Sequence, residues 1–233
     1  PVEVVIEGTR AVLTCGSSRF TLLTMPIEDY PALPALPPAS GTIDSHAFSE
    51  AVAQVTIAAS RDETLPLLTG VRVEIEGETL TLMATDRYRL ALREVAWNLS
   101  TPGVSATALV RARTLSEVAK SLTSAGPISI SLPTGDGKDI VGFEAGGRRT
   151  TSLLVDGDYP PVRRLFPEAM TSHAIVSTQS LVEAARRVAL VAERNTPIRL
   201  EFSEGQVVLE AGQGEDAQAS EAIESNFEGE SIT

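Results

Sequence analysis

Residues 71–84 read VRVEIEGETLTLMA, and residues 198–211 read IRLEFSEGQVVLEA. Laid one over the other without a gap, they share Arg72 with Arg199, Glu74 with Glu201, Leu82 with Leu209 and Ala84 with Ala211. The likeness continues outward in both directions. Upstream, Glu50, Ala51, Val55, Ala59 and Arg61 match Glu183, Ala184, Val188, Ala192 and Arg194. The segment EDYPAL near residue 30 is echoed by GDYPPV near 159, each after a Thr- and Leu-rich stretch, FTLLT and TTSLL. The partners are offset by 127, 133 and 129 positions, so one unit is about 130 residues, an ordinary domain size. Residues 1–37 match the end of a unit, 38–168 a whole unit and 169–233 the beginning of a third. The Pro-rich links DYPALPALPPAS and DYPPVRRLFPEA read as extended, fairly stiff connections.

Three segments carry helical periodicity. Phe48, Ala51, Val52, Val55 and Ala59 form one stripe, with Ser45 as the expected N-cap. Leu115, Val118, Ala119 and Leu122 form a second, with Thr114 and Glu117 spaced as a capping box. Leu181, Ala184, Val188 and Val191 form the third. The remainder reads as short alternating strands broken by Gly, Pro and Asn: Val71–Ile75, Thr79–Met83, Leu90–Val95, Ile128–Leu132, Ile140–Phe143, Arg149–Leu154 and Ile198–Phe202. Many strands and few helices predict an α+β fold.

Composition narrows the function. With aromatics at 4%, the cores must be built mostly from Val, Leu, Ile and Ala. A formal charge of −12 argues against indiscriminate binding of the whole molecule to nucleic acid or membrane, yet leaves room for a local basic patch. Cys15 stands alone in VLTCGSS, so no intrachain disulfide can form and a reducing cytoplasm is the expected home. No apolar run is long enough to span a membrane. Both ends fall in strand-like sequence, VEVVIEG and GESIT, and the chain is expected to be a piece of something longer.

No catalytic constellation emerges. Cys15 has no neighbouring His and is expected to be a buried or half-buried structural thiol. His46 and His173 lack ligand-spaced partners, so no metal site is expected. LPTGDGKD at 132–139 lacks the spacing of a phosphate loop and reads as a hairpin turn. No cofactor is expected. The basic residues are more informative. Arg61, Arg111, Arg113 and Lys120 cluster at the first two helical segments, and Arg186, Arg187 and Arg194 at the third, while the strands carry the acid. If the helices share a face, that face is basic and can hold a phosphate backbone without reading sequence. Offsetting of helix dipoles by cations near helix ends is the plainer alternative.

The stretch LMATDRYRLALRE at 82–94 sets Asp86, Arg87, Tyr88 and Arg89 at the end of an apolar strand. Together with FTLLTMPIEDYP, LLTGVRVEIEG and VDGDYPPVRRLFP, it resembles the beta subunit of bacterial DNA polymerase III, the sliding clamp family, over essentially the whole chain. ATDRYRLA is among that family's most specific signatures. The resemblance implies a DNA-clamp fold of repeated α+β domains, with two helices toward a central hole and antiparallel sheets outside. Residues 1–37 would be the C-terminal part of the first domain, 38–168 the complete second, and 169–233 the N-terminal part of the third. Two subunits would close into a homodimeric ring around duplex DNA, so the basic residues above would face DNA in a sequence-independent way. Carried over by motif position, Leu68, Thr85, Arg87, Tyr88, Arg89, Leu90, Pro160, Arg164 and Leu165 would line a pocket between the second and third domains. There the polymerase III catalytic subunit, the clamp loader and repair proteins would insert linear peptides.

This chain is shorter than a complete subunit of that family, and part of the pocket rim would lie outside it. The rival expectations are a clamp-like paralogue or decoy that binds a peptide or peptide-like inhibitor without serving replication, and a hydrolase resting on Cys15, the histidines and scattered acids.

Overall fold

The computed structural model describes residues 1–32, 34–100, 102–133, 139–167, 169–193, 196–212 and 217–233. Two compact units divide at Val162 and Arg163.

The first unit opens with strands β1 (Glu3–Glu7), β2 (Arg10–Cys15) and β3 (Ser18–Leu23), which form an antiparallel sheet of their own. Then come β4 (Gly41–Ile43), helix α1 (Ser45–Thr56), β5 (Gly70–Glu76), β6 (Thr79–Thr85), β7 (Leu90–Ala96), the short β8 (Asn98–Leu99) and β9 (Ser105–Arg111). Helix α2 (Ala112–Leu122) and strands β10 (Ile128–Ser131), β11 (Ile140–Ala145) and β12 (Arg148–Leu153) complete it. These make a sheet of order β7-β6-β5-β9 and a second of order β12-β11-β10-β4-β8, with every paired neighbour antiparallel.

Alternation decides what each strand buries. Val71, Val73 and Ile75 of β5, Leu80, Leu82 and Ala84 of β6, and Ala106, Ala108 and Val110 of β9 turn one face into the core. They meet Phe48, Val52 and Val55 of α1 and Leu115, Val118 and Leu122 of α2, and the second sheet adds Ile128, Ile130, Val141 and Phe143. Phe48 and Phe143 pack with ring centroids 6.0 Å apart. The helices run antiparallel: the Ser45 hydroxyl, at the start of α1, donates to the Thr123 carbonyl at the end of α2, and the Ser49 hydroxyl donates to the Ala119 carbonyl.

In the second unit, β13 (His173–Val176), helix α3 (Thr178–Val188), β14 (Arg199–Ser203), β15 (Gln206–Ala211) and β16 (Ala219–Glu228) form one sheet of order β13-β16-β15-β14. Ala184 and Val188 of α3 pack on Val207, Leu209 and Ala211.

The duplication is visible strand by strand. In β5–β6 the Glu76–Thr79 pair closes a two-residue turn, and in β14–β15 the Ser203–Gln206 pair, 127 positions on, closes another. The left-handed glycine that each turn needs occupies its first position in one, Gly77, and its second in the other, Gly205. Strand β16 does alone what β7 and β8 share: its first half pairs with the hairpin and its second half with the strand before the helix. Between β7 and β8 the run is broken at Trp97, which is buried and donates its indole N–H to the Gly77 carbonyl.

Several expectations are corrected. The N-cap of α1 is Asp44, whose carboxylate accepts from the His46 and Ala47 amides, while Ser45 is spent on α2. Thr114 and Glu117 form no capping box, because α2 begins at Ala112 directly off β9; Glu117 instead pairs with Arg113. Arg61, grouped above with the first helical segment, lies outside α1, which ends at Thr56, in the following loop. Cys15 is exposed rather than buried, because it ends β2 at a surface turn. The 132–139 stretch joins the antiparallel pair β10–β11, but residues 134–138 of it lie outside the described residues. Among the described residues no helix is long and apolar enough to cross a membrane.

Phe48 is 1% exposed and surrounded by both sheets and α2. Phe48→Ala is expected to cost about 3–5 kcal/mol in chemical denaturation of the first unit; a loss under about 1 kcal/mol would show that this core closes over the gap.

Candidate functional site

The tip of the β6–β7 hairpin is held by its own side chains. The Thr85–Leu90 pair ends the ladder, leaving Asp86 to Arg89 to turn the chain. One Asp86 carboxylate oxygen accepts from the Tyr88 amide at 3.1 Å and the Arg89 amide at 3.0 Å; the other accepts from the Arg89 guanidinium at 3.0 Å. The Thr85 hydroxyl donates to the Arg89 carbonyl at 2.7 Å and accepts from the Arg87 amide. Partial desolvation works against the Asp86 charge, but the donors of Arg89 and Tyr88 outweigh it and hold the carboxyl below the usual aspartate range. This network presents Tyr88 at 90% exposure, flanked by Arg87 and Arg89.

Strand β6 is also buried on its second face. Met83 packs with Leu109, Tyr159 and Val162, and Leu67, Leu90, Leu92 and Val155 close around them. The DYPPV link is thereby tied to the sheet through Tyr159 and Val162, with Pro160 half-buried between them. The Tyr159 hydroxyl is buried without a well-formed hydrogen bond, and burial pushes the phenol up, countered only in part by the Thr85 backbone. Of the expected pocket residues, Leu90 reaches this cluster, whereas Leu68 is buried in the Pro66–Thr69 turn and its neighbour Leu67 joins instead. Arg164 and Leu165 belong to the second unit, where both are exposed.

The basic residues divide into distinct situations. Arg61, Arg111 and Arg113 line one groove of about 680 Å³ between the end of α1 and the start of α2, with Thr56, Ser60, Thr114 and Ser116 beside them. Glu63 is the one acid among the described lining residues. The first turn of α2 has no side-chain cap, so its free amides add to the positive field. Arg113 is paired with Glu117 at 3.1 Å, but both are largely exposed and the pair is weak. Lys120 lies exposed on the same stripe of α2. Arg187 is different: its guanidinium grips Glu221 through two nitrogens, at 3.0 and 2.5 Å, and that hydrogen bonding raises its pKa further. Arg186 is exposed in the last turn of α3, and Arg194 lies outside the described residues.

Sequence reading passed over Met83, Leu109, Tyr159 and Val162 as a second small core. The available signal was the consecutive apolar trio Leu82, Met83 and Ala84, which one-sided alternation does not explain. It also passed over Asp86 as the anchor of the tip, although an Asp two and three positions before paired amides is a familiar turn device.

Two family models match the chain: DNA polymerase III beta subunit, central domain, over residues 42–161, and its C-terminal domain, over 163–233. The chain is 58% identical over 227 residues to the beta sliding clamp of Micrococcus luteus, covering 97% of this chain and 73% of that one. It is 42% identical to the beta sliding clamp homolog GriR of Streptomyces muensis, covering all of this chain and 62% of that one. Among solved structures, the Bacillus subtilis DNA polymerase sliding clamp superposes with a TM-score of 0.86 at 26% identity, over 99% of this chain and 61% of that one.

An Asp86 carboxyl with a depressed pKa stabilises the tip when ionised. The contribution is complete above about pH 4, the ordinary aspartate range, and is lost as pH falls through the lower folded value. Followed by two-dimensional NMR in acid, the Tyr88 and Arg89 amide shifts are expected to titrate together below the pKa of a free aspartate. Titration at the ordinary value would mean the carboxylate does not accept these bonds.

Proposed function

The chain belongs to the DNA polymerase III beta-subunit family, and on that premise we propose that it is part of a DNA sliding clamp, a processivity factor that encircles duplex DNA as a homodimeric ring. Residues 1–37, 38–168 and 169–233 are assigned to the end of a first clamp domain, a whole second and the beginning of a third. The observation that carries the reading is the gathering of Arg61, Arg111 and Arg113 on one groove in a chain of net charge −12. Phosphate contacts made from such a groove hold a duplex by Coulomb attraction and leave it free to slide, because they read no bases. Lys120 and Arg186 extend this role, and Arg194 is assigned to it by the repeat. Arg187, already gripped by Glu221, contributes less of its charge. The clamp works by topology rather than catalysis, in the cytoplasm.

Partner proteins, the polymerase III catalytic subunit, the clamp loader and repair proteins among them, dock linear peptides on the surface that includes the β6–β7 tip, Leu90 and Pro160, and Leu68, buried in the Pro66–Thr69 turn, is assigned to it by motif alone. Arg164 and Leu165 are assigned to the same task. A fixed loop with an exposed aromatic and arginines suits protein recognition, since little ordering entropy is lost on binding. The alternative, a clamp-like paralogue that binds a peptide-like inhibitor without serving replication, has the weaker likeness: identity to GriR is 42%, against 58% to the Micrococcus clamp. Replacement of the chromosomal clamp gene separates the two.

In the complete subunit, Arg113→Glu or Lys120→Glu is expected to weaken retention on duplex DNA and lower the salt slope by about 1, with peptide binding intact. Arg164→Ala is expected to weaken peptide binding about tenfold or more, with DNA retention intact. Wild-type behaviour of all three variants in both assays would refute this division of labour.

A further inference from the structure

The Pro-rich link DYPALPALPPAS, residues 29–40, is hydrogen-bonded into the second sheet at its end. The Ser40 amide donates to the Ile130 carbonyl at 2.8 Å, the Ser40 hydroxyl accepts from the Leu132 amide at 3.0 Å, and the Ser40 carbonyl accepts from the Ser100 amide at 3.0 Å. On the near side, the Thr24 amide donates to the Thr9 carbonyl at 2.8 Å, continuing the β2–β3 pairing by one residue. Between these ties, the described residues from Met25 to Ala35 are all exposed. Among the described residues, the hydrogen bonds of that stretch run from the Asp29 and Tyr30 amides to the Pro26 and Ile27 carbonyls and so stay inside it. Pro26, Pro31 and Pro34 have no amide to donate.

One apolar contact falls between the free stretch and Ser40. Gly142 of β11 pairs with Ser131 of β10, and because Val141 and Phe143 point into the core, position 142 faces the opposite way. A side chain there would collide with the Leu36 Cδ2 methyl group and meet the Ser131 Cβ. Gly142 and Ser131 are buried and Leu36 is half-buried, so the leucine fills the space that the glycine leaves open. Glycine inside a strand weakens it and marks the close approach of another part of the chain. By the repeat, the counterpart of Leu36 is Leu165, 129 positions on, and Leu165 is exposed. Seating of this leucine therefore belongs to the first link and does not follow from the duplication.

We infer that Leu36 and Gly142 form a clasp, a conformational device that holds the end of the first link on the outer face of the β10–β11 pair and confines turning between the β1–β3 sheet and the rest of the first unit to residues 25–35. The clasp does not depend on the role proposed above. A half-buried leucine shifts a local opening equilibrium by about tenfold, enough to keep Leu36 to Ser40 with the sheet while the residues before them move.

The test is hydrogen exchange on the full-length subunit. In wild type, amides of residues 25–35 are expected to exchange fast and the Ser40 amide slowly. Leu36→Ala is expected to speed Ser40 exchange about tenfold and to leave α1 unchanged, which separates release of the link from loss of folding. Gly142→Val is expected to do the same, although valine is the better strand former, because it fills the space that Leu36 needs. The double variant is expected to stay at about tenfold rather than reach about a hundredfold, since both changes break one contact. Unchanged Ser40 exchange in Leu36→Ala, effects that multiply in the double variant, or wild-type protection running through residues 25–35 would each overturn the inference. Equal acceleration in α1 would show a general loosening of the unit and overturn it as well.

Discussion

Strand β6 is buried on both sides, and the rest of the first unit is arranged by that constraint. Leu80, Leu82 and Ala84 bind it to the helices, and Met83 binds it to Tyr159 and Val162 of the link. A strand clamped between two apolar layers cannot slip by a residue, because a one-residue shift would exchange its faces. The tip that follows therefore leaves the sheet at a fixed point, and the Asp86 and Thr85 hydrogen bonds carry that rigidity out to Tyr88. Each buried aliphatic side chain contributes on the order of 2 kcal/mol, so the small outer cluster is a meaningful anchor for a link rich in proline.

Charge is handled by local pairing rather than by uniform segregation. Arg187 is matched by Glu221, Arg89 by Asp86 and Arg72 by Glu74. The groove between the end of α1 and the start of α2 gathers Arg61, Arg111 and Arg113 against one acid, Glu63, among the described lining residues. An acidic protein can thus carry a cationic site, provided the opposing acids are kept elsewhere on the chain. The proposed hold on DNA has use for such a contrast, since a strongly basic surface would bind and stop.

Much of this architecture was legible beforehand. The repeat at 71–84 and 198–211 and the three helical stripes correspond to real hairpins and helices, because each buries one clean face and alternation or 3.6-residue spacing reports that directly. The tip sequence carried the family likeness. What escaped the reading was set by tertiary context. Strand β9 was missed because SATALVR mixes small residues and ends in arginine, so it merged with the following helix. Strand β16 alternates weakly apolar residues with Glu and Ser, and passes for acidic surface until its neighbours are in place. The caps went wrong for a similar reason. Asp44 and Ser45 are both competent, and only the nearness of Thr123 decides which one turns away. Arg87 illustrates the limit most sharply, for nothing in the letters DRYR reveals a left-handed backbone.

The break between β7 and β8 also gives the molecule an optical label. Trp97 is the sole tryptophan of the chain, and it is buried with its indole hydrogen-bonded to the turn of the duplicated hairpin. Its emission belongs to the first unit alone. The β13–β16 body is silent in the same channel, so fluorescence and far-ultraviolet dichroism, recorded side by side, would separate the melting of one unit from that of the other.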